Sequence, residues 1–292
     1  MRYTSRFLER KDLLDFLSGA LLGFALDEYF EGAYMGAFDE AGRPAGFIFT
    51  GSPRPDGTIL IGVPHAVKDG AASQELEEHL VRSALENASA RGLAATAAVY
   101  SDQAQEEILR LQGIYRCLGL RYLRDSTILG RRLDEVEAFP HIVTIGIEES
   151  GLETIASVAS ECAADSGWSD VDFHGRIGEW RNGQSFDPEL FRLATVDGVP
   201  AGVCLARLDS LDRKEGAFYF IGTRPQFRRR GLGRSLLLAG LAGLKERGAE
   251  KTRQMVPAGE GASLRLLESA GYRVLEWARF FATGEGRPCP ET

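Results

Sequence analysis

Hydrophobic positions in this chain fall into short alternating runs and longer runs of helical period, and the order of the runs repeats. In the first half, Leu13, Leu14, Leu17, Leu21 and Leu22 give helical spacing within 7–30. Residues 33–38 and 45–50 alternate as strands around the turn Asp39-Glu40-Ala41-Gly42-Arg43-Pro44, which predicts a hairpin. A β-branched run at 58–63 predicts a strand. Leu76, Leu80, Val81 and Leu85 predict an amphipathic helix over 74–90. Residues 93–100 read as a strand, 103–117 as a helix and 121–129 as extended.

The second half follows the same order. A strand is predicted at 141–147, a helix at 152–164, and a hairpin at 191–196 and 201–207 around Asp197-Gly198-Val199-Pro200. An aromatic strand at 218–221 then runs through a glycine-containing turn into a helix ending near Gly248. Residues 251–256 and 273–282 read as strands flanking a helix at 263–269. Short strings recur in step. Pro44-Ala45-Gly46 returns as Pro200-Ala201-Gly202 and Arg91-Gly92 as Arg247-Gly248, at one offset (200 − 44 = 247 − 91 = 156). This predicts a duplicated α/β domain with a mixed (α+β) sheet, the copies spanning 1–135 and 140–285. The charged run Asp134-Glu135-Val136-Glu137 before Pro140 reads as the linker.

Composition narrows the partners. With 292 residues and 44% hydrophobic content the chain can build two cores. A net charge of −8 argues against nucleic acid as the main partner. No apolar stretch approaches the ~18 residues of a membrane span, and Met1 to Arg6 lack a signal-peptide core, so a cytoplasmic protein is expected. Cys117, Cys162, Cys204 and Cys289 form no C-x-x-C pair, and His65, His79, His141 and His174 have no metal-ligand spacing. Buried free thiols and no metal are expected.

The chemistry-bearing stretch is Ile221-Gly222-Thr223-Arg224-Pro225-Gln226-Phe227-Arg228-Arg229-Arg230-Gly231-Leu232-Gly233-Arg234-Ser235. A helix start exposes unpaired amides and the positive end of the helix dipole, and glycines there admit a phosphate. A P-loop needs a closing Gly-Lys-Ser/Thr, and a dinucleotide fold needs three spaced glycines; neither is present. The pattern Arg228-x-x-Gly231-x-Gly233 after a strand resembles the acyl-CoA-binding signature of the GNAT acetyltransferase superfamily. The arrangement is similar to that of its tandem, mycothiol synthase-like members. The first half lacks the signature, reading Val63-Pro64-His65-Ala66-Val67-Lys68 after Ile61-Gly62. It is therefore expected to be a degenerate copy.

The resemblance implies acetyl-CoA as co-substrate, held by Arg228, Arg229, Arg230, Gly231, Leu232, Gly233, Arg234 and Ser235, with Ile221, Gly222 and Thr223 aligning the thioester arm on a splayed strand. The family's usual tyrosine acid is replaced by Leu267, and the asparagine expected seven residues before it by Glu260. Tyr219 is the candidate proton donor, on the expectation that residues 219, 221 and 223 share one strand face. The acceptor segment is 165–187, with Trp168, Asp170, Asp172, His174, Glu179 and Trp180, where carboxylates beside aromatics suit a cationic amine. The expected activity is N-acyl transfer from CoA to a small-molecule amine; the alternative is a non-catalytic acyl-CoA-binding or regulatory module.

Overall fold

The computed structural model describes residues 3–9, 12, 16, 32–53, 57–67, 73–134, 144–166, 169, 171–182, 186–209 and 213–284. The helix expected within 7–30, most of the linker at 133–140, Trp168, Asp170, Cys289 and most of the C-terminal tail lie outside these residues. The chain divides into two compact units. Unit 1 is Met1–Ser126 with Glu276–Thr292, and unit 2 is Thr127–Leu275.

In unit 1, β1 (Thr4–Phe7), β2 (Gly32–Phe38), β3 (Pro44–Gly51) and β4 (Thr58–Ile61) follow one another antiparallel. A two-residue strand, β5 (His65–Ala66), folds back on β3. Helix α1 (Gln74–Ala90) then crosses to β6 (Ala94–Tyr100), which lies parallel to β4. Helix α2 (Gln105–Cys117) leads into β7 (Arg121–Arg132), whose first residues complete this unit. The apolar stripe of α1 drives the packing: Leu76, Leu80, Val81 and Ala84 are buried against Ile48, Ile59 and Ile61.

Unit 2 begins its sheet with β8 (Thr144–Gly146), followed by helices α3 (Ile147–Ser150), α4 (Leu152–Ala163) and α5 (Phe173–Asn182). Strands β9 (Phe191–Val196), β10 (Val199–Leu208) and β11 (Glu215–Thr223) form an antiparallel meander. Helix α6 (Leu232–Glu246) crosses to β12 (Lys251–Pro257), parallel to β11, and α7 (Gly261–Ser269) leads to β13 (Arg273–Ala282). The sheet carries a core on each face. One packs Leu236, Leu237, Leu241 and Leu244 of α6 against Cys204, Ala206 and Phe218, and the other packs Ile155, Ala159, Phe173 and Ile177 against Val203, Leu205 and Phe220. Residues 278–282 of β13 pair antiparallel with β6, and Arg279 makes a bidentate ion pair with Asp125, so the last strand of the sequence completes unit 1.

The fold is α/β with a mixed sheet, and the repeated strings occupy equivalent places in the two halves of the chain. Pro44 and Pro200 lie at the start of β3 and β10, and Gly92 and Gly248 follow α1 and α6 with φ of +69° and +89°. Three expectations change. Residues 173–182, read as part of the stretch between helix and strand, form α5. The short strands β1 and β5 carry too few residues for a period to show. Cys117 is exposed, whereas Cys162 and Cys204 are buried. No helix among the described residues is long and apolar enough to cross a membrane, and no group of three His, Cys, Asp or Glu among them is placed to hold a metal.

Candidate functional site

Strand β11 ends at Thr223, a short 3-10 turn (Pro225–Phe227) follows, and α6 starts from Gly231. Gly231 stands at the N-cap with φ +81°, a left-handed conformation that glycine adopts without a Cβ penalty. Arg229 is also left-handed at φ +63°. The first intrahelical bond runs from the Ser235 amide to the Gly231 carbonyl, and no side chain caps the helix. The amides of Gly231 to Arg234 therefore sit at the open, positive end of a 15-residue helix. Arg229, Arg230 and Arg234 are exposed around it, and a Cβ on Gly233 would meet the Thr223 hydroxyl at 3.5 Å. This geometry suits a phosphate group.

The Arg228 side chain is turned into the protein. Its Nε donates to the Thr223 carbonyl at 3.0 Å, and its Nη2 donates to the Cys162 carbonyl at 2.9 Å and to Asp165 Oδ1 at 2.8 Å. The guanidinium's bond holds the Asp165 carboxyl below the usual range. Arg224 pairs with Glu161 and donates to the Pro200 carbonyl at 2.7 Å. Two arginines thus tie the C-terminal end of α4 to both sides of the turn. Gly222 makes this approach possible, because a Cβ there would fall 2.5 Å from the Cβ of Cys162.

Strands β11 and β12 separate early. Their parallel ladder covers Glu215↔Lys251 and Gly216↔Thr252 and then stops, while β10 stays paired with β11 to Thr223. One edge of β11 thereby opens toward the turn. The β10–β11 ladder also shifts register: Leu205 faces Phe220 and Ala206 faces Phe218, leaving Tyr219 as the extra residue of a bulge. The bulge reverses the alternation. Phe218 and Ile221 pack on the α6 side, whereas Tyr219 and Phe220 pack on the α4–α5 side. The expectation that 219, 221 and 223 share a face fails for this reason, since it assumed an unbroken period of two.

Tyr219 is enclosed by aromatic and cationic neighbours. Trp180 of α5 stacks on it at 4.4 Å between centroids and 11° between planes, and the Arg207 guanidinium lies 5.4 Å from its ring centre. Two of the acceptor-segment carboxylates, Asp172 and Glu179, serve α5 itself. Asp172 accepts from the His174 amide at 3.1 Å, Glu179 pairs with Arg176 at 3.2 Å, and His174 Nδ1 lies 3.0 Å from Glu153. Arg207, on β10, was not singled out in the sequence, because a lone arginine in an alternating strand has no local signal. Leu267, at the family's tyrosine position, is buried in the α6-side core, and Glu260 is the N-cap of α7.

The corresponding stretch of unit 1 is built differently. Strand β4 pairs with β6 along its whole length, from Thr58↔Ala94 to Ile61↔Ala97, so the two do not part. The chain then bonds back to β3 through the Gly62 amide and β5. The start of α1 is capped, the Ser73 hydroxyl accepting from the Leu76 amide at 3.2 Å.

A strand that parts from its parallel neighbour, a bulge beside the gap, and an uncapped glycine helix entry together leave an open strand edge next to a set of free backbone amides. Residues 157–272 match the acetyltransferase (GNAT) family. A stretch of 130 residues is 34% identical to mycothiol acetyltransferase of Thermobispora bispora, covering 43% of this chain and 42% of that protein. The chain spans about half the length of the curated relatives it matches. A GCN5-related N-acetyltransferase from Sphaerobacter thermophilus has the same fold over 99% of this chain and 98% of its own, with TM-score 0.71 at 18% identity. A tandem GNAT protein from the clavulanic acid biosynthesis pathway aligns over 98% of this chain and all of its own, with TM-score 0.66 at 16% identity.

Proposed function

We propose that unit 2 binds acetyl-CoA and transfers its acetyl group to an amine, a small molecule, while the N-terminal copy binds no cofactor. The reading is carried by the open start of α6 beside the parted edge of β11. Amides of Gly231 to Arg234 would hold the pyrophosphate, with Arg229, Arg230, Arg234 and Ser235 around it. Ile221, Gly222 and Thr223 would align the pantetheine arm and the thioester. In this scheme Arg228 positions the turn through Thr223 and Cys162 rather than meeting phosphate. The neutral amine attacks the thioester carbonyl, its nitrogen gives up a proton to solvent, the tetrahedral oxyanion collapses with cleavage of the C–S bond, and the CoA thiolate leaves with Tyr219 as candidate proton donor. The test is release of free CoA thiol from acetyl-CoA across a panel of amines, with formation of the N-acetyl product followed by mass.

A second reading is favoured by Leu267, a buried residue with no dissociable proton where family members carry a tyrosine. Unit 2 would then bind acyl-CoA without turning it over. Tight acetyl-CoA binding with no thiol release on any amine would select that reading.

A further inference from the structure

The separation of β11 from β12 has a defined end point. The parallel ladder pairs residue 215 with 251 and 216 with 252, and the same register places Gln254 opposite Phe218. These two are joined, but not by main chain. The Phe218 amide donates to Gln254 Oε1 at 3.0 Å, and Gln254 Nε2 donates to the Phe218 carbonyl at 3.2 Å. A glutamine carboxamide offers the same acceptor and donor as a peptide group, carried on two methylenes. It therefore closes a rung across strands that stand farther apart than the ~4.8 Å of a regular ladder. The next residue of β11 is the bulged Tyr219, and from Phe220 to Thr223 β11 keeps only its ladder with β10 on the other edge.

We infer that Gln254 is a positioning residue of the acyl-transfer site, its side-chain amide forming the last rung between β11 and β12. It fixes where the strands part and holds the bulge at Tyr219 in register with the open edge. The inference rests on the acyltransferase reading of unit 2. Phe218 is buried at 6% exposure, so removing the amide leaves a buried N–H and C=O to be satisfied in some other way. The strands either zip one rung further or admit water. Both outcomes move the backbone on which Tyr219 and Ile221 stand, whereas the start of α6 is anchored separately by Arg228 and Arg224.

The experiment compares the full-length wild type with Q254L, which has no hydrogen-bonding group, and Q254E, which at neutral pH keeps the acceptor and loses the donor. Three quantities are read: acetyl-CoA affinity by calorimetry, kcat by thiol release, and amide hydrogen exchange at Phe218. The expected result for Q254L is affinity within about twofold of wild type, because the cradle is held elsewhere. Its kcat should fall roughly 10- to 100-fold, the scale of an ångström-level misplacement at a reacting centre, and Phe218 should exchange faster. Q254E should lie between the two, and it carries the test if Q254L does not fold. An active wild type with kcat and Phe218 exchange unchanged in the variants overturns the inference alone. Equal losses in affinity and kcat also overturn it, because they would mean general loosening. Absence of thiol release from the wild type overturns the acyl-transfer reading, and the positioning role falls with it.

Discussion

At the scale of single residues, the start of α6 separates binding from folding. Gly233 has ordinary φ and room for a side chain, since its nearest neighbour on adding a Cβ is at 3.5 Å. A carboxylate in the first turn of a helix is electrostatically favourable to the helix itself. Gly233→Asp should therefore fold normally yet lose at least about tenfold in acetyl-CoA affinity, because its charge meets the pyrophosphate. Calorimetry beside a thermal melt checks both halves, and unchanged affinity would place the phosphate elsewhere. Tyr219→Phe removes a hydroxyl while keeping the stack on Trp180. If Tyr219 donates the proton, turnover should fall within the ~10²–10⁴-fold range of a positioned acid or base, with cofactor affinity preserved. A loss under about threefold would leave the ring as packing alone. The buried thiols give a pH signature. Desolvation pushes Cys162 and Cys204 up to about 12, so both keep their protons in the folded chain where the unfolded chain, with thiols near ~8.5, releases them. The unfolded state then binds fewer protons, so their stabilising effect is complete below the unfolded value and is lost as pH rises toward 12. Denaturant midpoints measured from pH 8 to 11 should decline, and the decline should lessen in Cys204→Ala.

At the scale of elements, α4 is the part that the turn depends on, and Arg228 is the link. Asp165 is largely exposed, so its pair with Arg228 is screened and worth little by itself. The bonds to the Thr223 and Cys162 carbonyls do not depend on Asp165. Asp165→Ala should thus weaken acetyl-CoA binding by no more than about threefold, as for an exposed pair of under ~1 kcal/mol, whereas Arg228→Ala should weaken it much further. Matching effects in the two variants, read by calorimetry, would make the ion pair the anchor instead. The elements themselves differ in how far their residues disclose them. Helix 74–90 and strand 273–282 are readable to the residue, the helix because its apolar period reports burial directly and the strand because its aliphatic and aromatic run favours extended chain, although only Ala278 and Phe281 of it are buried. Helix α5 was not, since only Phe173 and Ile177 of its ten residues are buried, with glycines at 175 and 178 interrupting the period. The helix entry at Gly231 was legible from its glycines. The bulge at Tyr219 and the rung at Gln254 were not, because each depends on a ladder register that one strand's sequence cannot contain.

At the scale of the whole molecule, duplication and divergence set how many cofactors one chain can hold. Glycines with positive φ recur at Gly42 and Gly198, Gly92 and Gly248, and Gly119 and Gly271, so turn chemistry has persisted in both halves. The strand opening and helix entry proposed to hold the cofactor are found in unit 2 alone among the described residues. In unit 1 the parallel pair β4–β6 is zipped through four residues, a hydroxyl caps α1, and β5 returns along β3; in unit 2 the pair β11–β12 stops after two and the start of α6 is uncapped. A zipped pair leaves no strand edge for an extended pantetheine arm, and a capped helix start has already spent an amide on protein. Acetyl-CoA should therefore bind with a stoichiometry of one per chain. Gly233→Asp should remove that single event rather than halve the total. Titration giving two events per chain, or one that survives Gly233→Asp, would assign a binding site to the N-terminal copy despite its closed strands. Loss of the one event with the thermal transition intact would confine acyl-CoA to the entry of α6.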